Sequence, residues 1–123
     1  MTVQCTEAEW KIMEVLWDES PRTMPEITKA LEPETGWTRH TVITLLKRMI
    51  EKGSITIDES GPLKKYSYKV TRDKASTDQT KKFLSHVFSG KASLLINNLV
   101  SSGEVTVDEM ETMLDMIRTE GKG

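Results

Sequence analysis

The stretch WTRHTVITLLKRMIEKG, residues 37–53, puts two kinds of side chain on two sides of one helix. Val42, Leu45, Leu46 and Met49 recur at helical spacing and make an apolar side. The opposite side carries Thr38, Arg39, His40, Thr41, Ile43 and Thr44, with Lys47 further along. Those residue types suit the reading of a base-pair edge. A guanidinium donates two parallel bonds to guanine, a threonine meets a thymine methyl or a phosphate, and an imidazole donates or accepts. Two more cations, Lys64 and Lys65, lie in SGPLKK, placed to neutralise phosphate or to enter a minor groove. Plain solvation also produces a face of this composition, so the elements that position it must decide.

Catalysis has little to work with. The sequence holds no His-Glu-x-x-His, no glycine-rich phosphate loop and no Gly-x-Ser-x-Gly elbow. His40 and His86 fall in separate helices without an obvious nucleophile. One cysteine, Cys5, forms no internal disulfide and builds no structural zinc site alone, so it reads as an inert thiol. The expectation is a protein that is not an enzyme, with no catalytic residues, no metal site and no cofactor.

Three Thr-x-x-Glu capping boxes punctuate the chain: Thr6 with Glu9, Thr23 with Glu26, and Thr106 with Glu109. In each, the threonine oxygen accepts from the third helical amide and the glutamate reaches back to the cap amide. The first predicted helix runs from about Thr6 to Trp17, with Trp10, Met13, Leu16 and Trp17 on one face. The second runs from about Thr23 to Leu31, with Pro25 in its first turn and Ile27, Ala30 and Leu31 buried, and EPETG breaks it. The third spans about Thr38 to Lys52 and closes on Gly53. SITID and YSYKV then alternate around a Gly-Pro turn, the pattern of a β-hairpin. Three further helices follow, over about Ser76 to Ser89, Ala92 to Val100 and Thr106 to Thr119.

Helix, helix, helix, hairpin is the order of a winged helix-turn-helix, in which the later helix of the pair enters the major groove. The expected fold is mainly α with a small β-hairpin. Residues 1–72 form a winged-helix DNA-binding domain and residues 73–123 a C-terminal helical dimerisation domain. Three short helices bury little core alone. A second copy of the chain is the simplest cover, through Phe83, Val87, Leu95, Leu99, Met110, Leu114 and Ile117.

Charge supports that placement. Residues 1–35 carry three Lys/Arg against eight Asp/Glu, residues 36–72 carry eight against three, and residues 93–123 return to a net of −4. A basic block that coincides with the reading helix and the wing points to an anionic partner, double-stranded DNA. No apolar run approaches the roughly 20 residues that span a bilayer, so no membrane insertion is expected. MTVQCTEAEW has neither the basic nor the apolar region of a signal peptide, which leaves the cytoplasm as the expected location.

A family resemblance rests on particular residues. Glu9-Trp10, Met13 and Trp17, followed by Trp37-Thr38, Thr41-Val42, Thr44-Leu45-Leu46, Arg48 and Lys52-Gly53, resemble the penicillinase-repressor family, the BlaI/MecI/CopY group. The stretch FLSHVFSGKASLLINNLVSSGEVTVDEMETMLDMI resembles the dimerisation half of its β-lactam-responsive members. The resemblance implies a homodimeric transcriptional repressor of antibiotic-resistance genes, set by two winged-helix domains on a pseudo-palindromic operator. It also implies relief by proteolysis, when a membrane sensor-transducer metalloprotease or its effector triggers cleavage of an Asn-Phe bond. The corresponding bond here is Asn98-Leu99. Two positions depart from the family pattern. Ile43 stands where the reading helix often has a basic residue, and Leu99 stands in place of Phe. The copper-responsive branch carries a cysteine-rich C-terminal motif, and IRTEGKG has no cysteine. Two other readings remain: a winged-helix repressor relieved by a small ligand or metal, and a winged-helix protein-interaction module.

Overall fold

A computed structural model describes residues 4–121. The outermost residues of the two expected domains, 1–3 and 122–123, lie outside the described residues. The elements run α1 Glu7–Asp18, β1 Arg22–Thr23, α2 Met24–Thr35, α3 Arg39–Lys52, β2 Ile55–Asp58, β3 Lys65–Tyr68, α4 Arg72–Phe88, α5 Ala92–Ser101 and α6 Val107–Glu120. The protein is mainly helical, with one small antiparallel sheet ordered β1-β3-β2.

The three capping boxes form as their sequences require. At α1 the Glu9 amide donates to Thr6 Oγ1 at 3.2 Å, and the Thr6 amide donates to Glu9 Oε1 at 2.9 Å. Thr23 with Glu26 and Thr106 with Glu109 repeat the exchange at α2 and α6. Gly36 ends α2 and Gly53 ends α3, both in the left-handed region, with φ of 65° and 84°.

Several expected boundaries shift. α2 continues to Thr35 and carries Pro33 inside it, instead of breaking after Leu31. Proline there removes a single amide from an exposed last turn, and Gly36 is the residue that stops the helix. Ala30 is exposed and is not part of the buried stripe. On α1 the fully buried face is Glu9, Ile12, Met13 and Leu16, while Trp10 and Trp17 are half-buried at its edge. α4 begins at Arg72, four residues before the expected start at Ser76. The Thr71 hydroxyl caps it by accepting the Lys74 amide at 3.2 Å. The hairpin gains a third strand, in which Arg22 pairs with Tyr66 and Thr23 with Lys65.

Two compact units result, Met1–Gln79 and Thr80–Gly123, with α4 passing from one into the other. The first has a continuous core of Ile12, Met13, Leu16, Ile27, Leu31, Val42, Leu45, Leu46, Met49, Ile55 and Tyr66. Trp17 stands at its rim. Its Nε1 donates to the Val70 carbonyl at 2.9 Å, its ring meets Trp10 edge-on at 5.1 Å, and the Arg72 guanidinium lies 4.9 Å from its centroid. In the second unit no residue of 80–121 is buried.

One charge sits inside the first unit. Glu9 has no exposed area, and its Oε1 accepts from Lys52 Nζ at 2.8 Å as well as from the Thr6 amide. Its Oε2 is buried without a hydrogen-bond partner. Burial pushes this carboxyl up, but the bonds from Lys52 and Thr6 outweigh it and hold the pKa below the usual range. A carboxyl with a depressed folded pKa stabilises the fold above its unfolded value, about 4.3 for glutamate. That contribution is lost as pH falls through the folded value. Glu9→Gln should therefore lower the unfolding free energy by about 1–3 kcal/mol at neutral pH. Urea unfolding of both proteins should show the gap closing below about pH 4. A gap that stays constant in acid would show that the Glu9 charge contributes nothing.

Candidate nucleic-acid interface

α3 is fixed on three sides before its outer face is considered. Val42, Leu45, Leu46 and Met49 are buried in the core. Its start is set by the short turn 36–38, where left-handed Gly36 reverses the chain and half-buried Trp37 packs on the core. The Trp37 amide donates to Thr35 Oγ1 at 3.1 Å. Its last turn is held through Lys52 to Glu9. A helix pinned in this way presents its remaining face in a fixed orientation.

That face carries the residues expected from the sequence. Thr38 is the N-cap, and its oxygen accepts the Thr41 amide at 3.3 Å. Arg39, His40, Thr44 and Lys47 are exposed, and Thr41 and Ile43 are half-exposed. Arg39 and Lys47 form no ion pair among the described residues. Two cations are thus available to an outside anion without first breaking an internal bond. The threonines differ. Thr44 Oγ1 donates to the His40 carbonyl at 2.9 Å, and Thr38 and Thr41 share a contact between hydroxyls at 3.3 Å. Their hydroxyls are largely occupied within the helix. Arg48, which the sequence offers only as part of the family resemblance and not as a contact residue, is also exposed on α3.

The wing is less cationic than Lys64 and Lys65 suggest. Lys65 lies opposite Asp58 in the strand register, and Lys64 Nζ is 4.0 Å from Glu59 Oε2. Asp58 also takes the Ser60 amide at 2.9 Å and the Ser60 hydroxyl at 2.6 Å, which hold its carboxyl below the ordinary range. Two carboxylates therefore stand against two lysines; both are in the charge count of residues 36–72, but that count does not set them beside Lys64 and Lys65. Leu63, between Pro62 and Lys64, is 61% exposed at the tip.

The remaining expected site residues lie in or lead into the second unit. Phe83, Val87, Leu114 and Ile117 are exposed, and Leu95, Leu99 and Met110 are half-exposed. Asn98 and Leu99 fall near the end of α5, where the Asn98 carbonyl accepts the Ser102 amide at 2.9 Å. No cluster of three or more His, Cys, Asp or Glu among the described residues could hold a metal ion. No described helix is long and apolar enough to cross a membrane.

Comparison with known proteins gives a consistent result. The chain matches the family described as penicillinase repressor over residues 5–119. It is 23% identical over 116 residues to the methicillin resistance regulatory protein MecI of Staphylococcus aureus (strain N315), covering 94% of each chain. It is 22% identical over 114 residues to the penicillinase repressor of Bacillus licheniformis, covering 93% of this chain and 89% of that one. Among solved structures, the DNA-binding domain of the repressor BlaI superposes with a TM-score of 0.53 at 28% identity, covering 60% of this chain and 93% of that one. Monomeric Bacillus licheniformis BlaI in complex with the blaP half-operator gives 0.53 at 27% identity, covering 60% and 90%.

Proposed function

The chain belongs to the penicillinase repressor family of DNA-binding winged-helix transcriptional repressors, which are not enzymes, and on that premise we propose that it acts in the cytoplasm as a homodimer on a pseudo-palindromic operator. α3 is the reading helix, and Thr38, Arg39, His40, Thr41, Ile43, Thr44 and Lys47 meet the major groove. Lys64 and Lys65 touch the backbone from the wing, more weakly than α3 because Asp58 and Glu59 oppose them. The observation that carries the reading is the exposed α3 face, with Arg39 and Lys47 unpaired among the described residues, on a helix fixed by core, turn and ion pair. The BlaI complex with its half-operator supports it from a relative of the same winged fold.

The division of labour follows the domains: residues 1–72 bind DNA and residues 73–123 dimerise. Support for the second role is the absence of any buried residue over 80–121, with Phe83, Val87, Leu114 and Ile117 all exposed. Helices that bury nothing within their own unit gain stability when another copy covers them. Relief of repression is proteolytic, at Asn98-Leu99, under the control of a membrane sensor-transducer metalloprotease or its effector, and the genes controlled confer antibiotic resistance. The bond is helical, so cleavage requires local unwinding of the last turn of α5. The N-terminal end of α5 has no side-chain cap at Lys91, which lowers the cost of opening that helix.

Four measurements test these statements. A duplex from the promoter of the protein's own operon should shift at moderate salt in preference to random duplex. Its log–log salt slope should rise by about 0.9 for each phosphate contacted. Arg39→Ala with His40→Ala should weaken binding about 10- to 100-fold, and unchanged binding would show that α3 is not the reader. Leu114→Glu with Ile117→Glu should sediment as a monomer where the native chain sediments as a dimer, with operator affinity reduced by roughly 10²–10⁴. After induction with activated sensor, the mass of the chain should report a break after Asn98, and an intact chain would exclude that route.

A further inference from the structure

We infer that the middle of the α3 face reads thymine, through apolar contact of Ile43 and the Thr44 γ-methyl with the 5-methyl group of the base; this rests on the proposal that α3 is the reading helix. Arg39 and His40 lie one turn before Ile43 and Thr44, and Lys47 lies one turn after them. The cations thus bracket a central turn of different chemistry. Ile43 is half-exposed and has neither donor nor acceptor. Thr44 is exposed, but its hydroxyl proton is committed to the His40 carbonyl at 2.9 Å. What this turn offers outward is two apolar surfaces and one threonine lone pair.

The major groove displays only one apolar group. Guanine shows acceptors, cytosine a donor, adenine one of each, and thymine an acceptor with the C5-methyl beside it. A guanine under Ile43 would leave its acceptors desolvated and unpaired, which costs affinity. A thymine methyl under Ile43 instead removes apolar surface from water on both partners. The bracketing cations add phosphate attraction of the kind that sets register without reading sequence. Specificity at the central position therefore comes from methyl contact, with hydrogen bonds confined to the turns on either side.

The test uses the native protein and a duplex of about 30 base pairs, long enough for two half-sites one or more helical turns apart, enriched by this protein from a random pool. Each thymine of the selected duplex is replaced in turn by deoxyuridine, which removes only the methyl. Anisotropy titration should show about fourfold weaker binding at one position in each half-site, the factor carried by one buried methyl group. Ile43→Ala should bind more weakly to the thymine duplex and lose its preference for thymine over uracil there. Thr44→Ser keeps the hydroxyl that serves the helix and removes the γ-methyl, and it should weaken binding to the thymine duplex about fourfold. Uniform indifference to uracil overturns the inference, as does uracil sensitivity that survives in Ile43→Ala or undiminished binding by Thr44→Ser. Those outcomes leave the repressor reading intact. Enrichment of no sequence over random DNA overturns that reading and this inference with it.

Discussion

A buried carboxylate sets the frame on which α3 is held. An ionised side chain inside a protein costs several kcal/mol unless bonds replace its water. Glu9 meets that requirement with two groups far apart in sequence: the amide of Thr6 at the cap of α1, and the ammonium of Lys52 in the last turn of α3. Lys52 remains partly exposed and keeps some hydration, so the desolvation falls chiefly on Glu9. The cation also sits where the helix dipole favours it. α1 and α3 cannot slide past one another without leaving that charge unpaired. With Gly36 fixing the other end, the outer face of α3 has little freedom to turn.

Rigidity of that kind changes the meaning of the exposed residues. A threonine on a loose helix is a general hydrogen-bonding group. On α3 the Thr44 hydroxyl is already used by the backbone, and Thr38 serves as cap. Sequence contact in the proposed complex then divides between charged ends and an apolar middle. The wing follows a similar logic. Its lysines are held near carboxylates across the hairpin, so they contribute position and little net charge.

Much of this was legible in the residues. The capping boxes at Thr6, Thr23 and Thr106, the stripe Val42, Leu45, Leu46 and Met49, and the alternation around Ile55 and Tyr66 placed the helices and the hairpin. The outer α3 residues stood out because their chemistry differed from the stripe. What escaped was set by tertiary context. β1 is two residues long, too short for any periodicity, and exists only because β3 lies beside it. Helical spacing puts Trp10 and Trp17 on one α1 face with Met13 and Leu16, yet both stand at its edge. Indole keeps a polar edge, and Trp17 uses it at the rim to bond the Val70 carbonyl. Ile12 is smaller and fills the interior in their place. Glu9 was visible as a cap partner, but its second bond, to Lys52, spans 43 positions, and no local pattern announces it. The carboxylates of the wing were present in the sequence; the register that sets Asp58 against Lys65 was not.

The two units differ in how completely each satisfies itself. The winged unit has a closed core and a paired interior charge, so it can present α3 without help. The helices of residues 80–121 bury no side chain, and their apolar residues remain available to a neighbour. In the proposed dimer this asymmetry has a regulatory consequence. Each winged unit alone has one half-site's worth of contacts, and tethering two makes the second binding event intramolecular. Operator affinity then depends steeply on the part of the chain that never touches DNA. A single break in α5 can weaken binding without altering the reading helix, because it acts on the effective concentration of the second half-site and leaves the chemistry of the first unchanged.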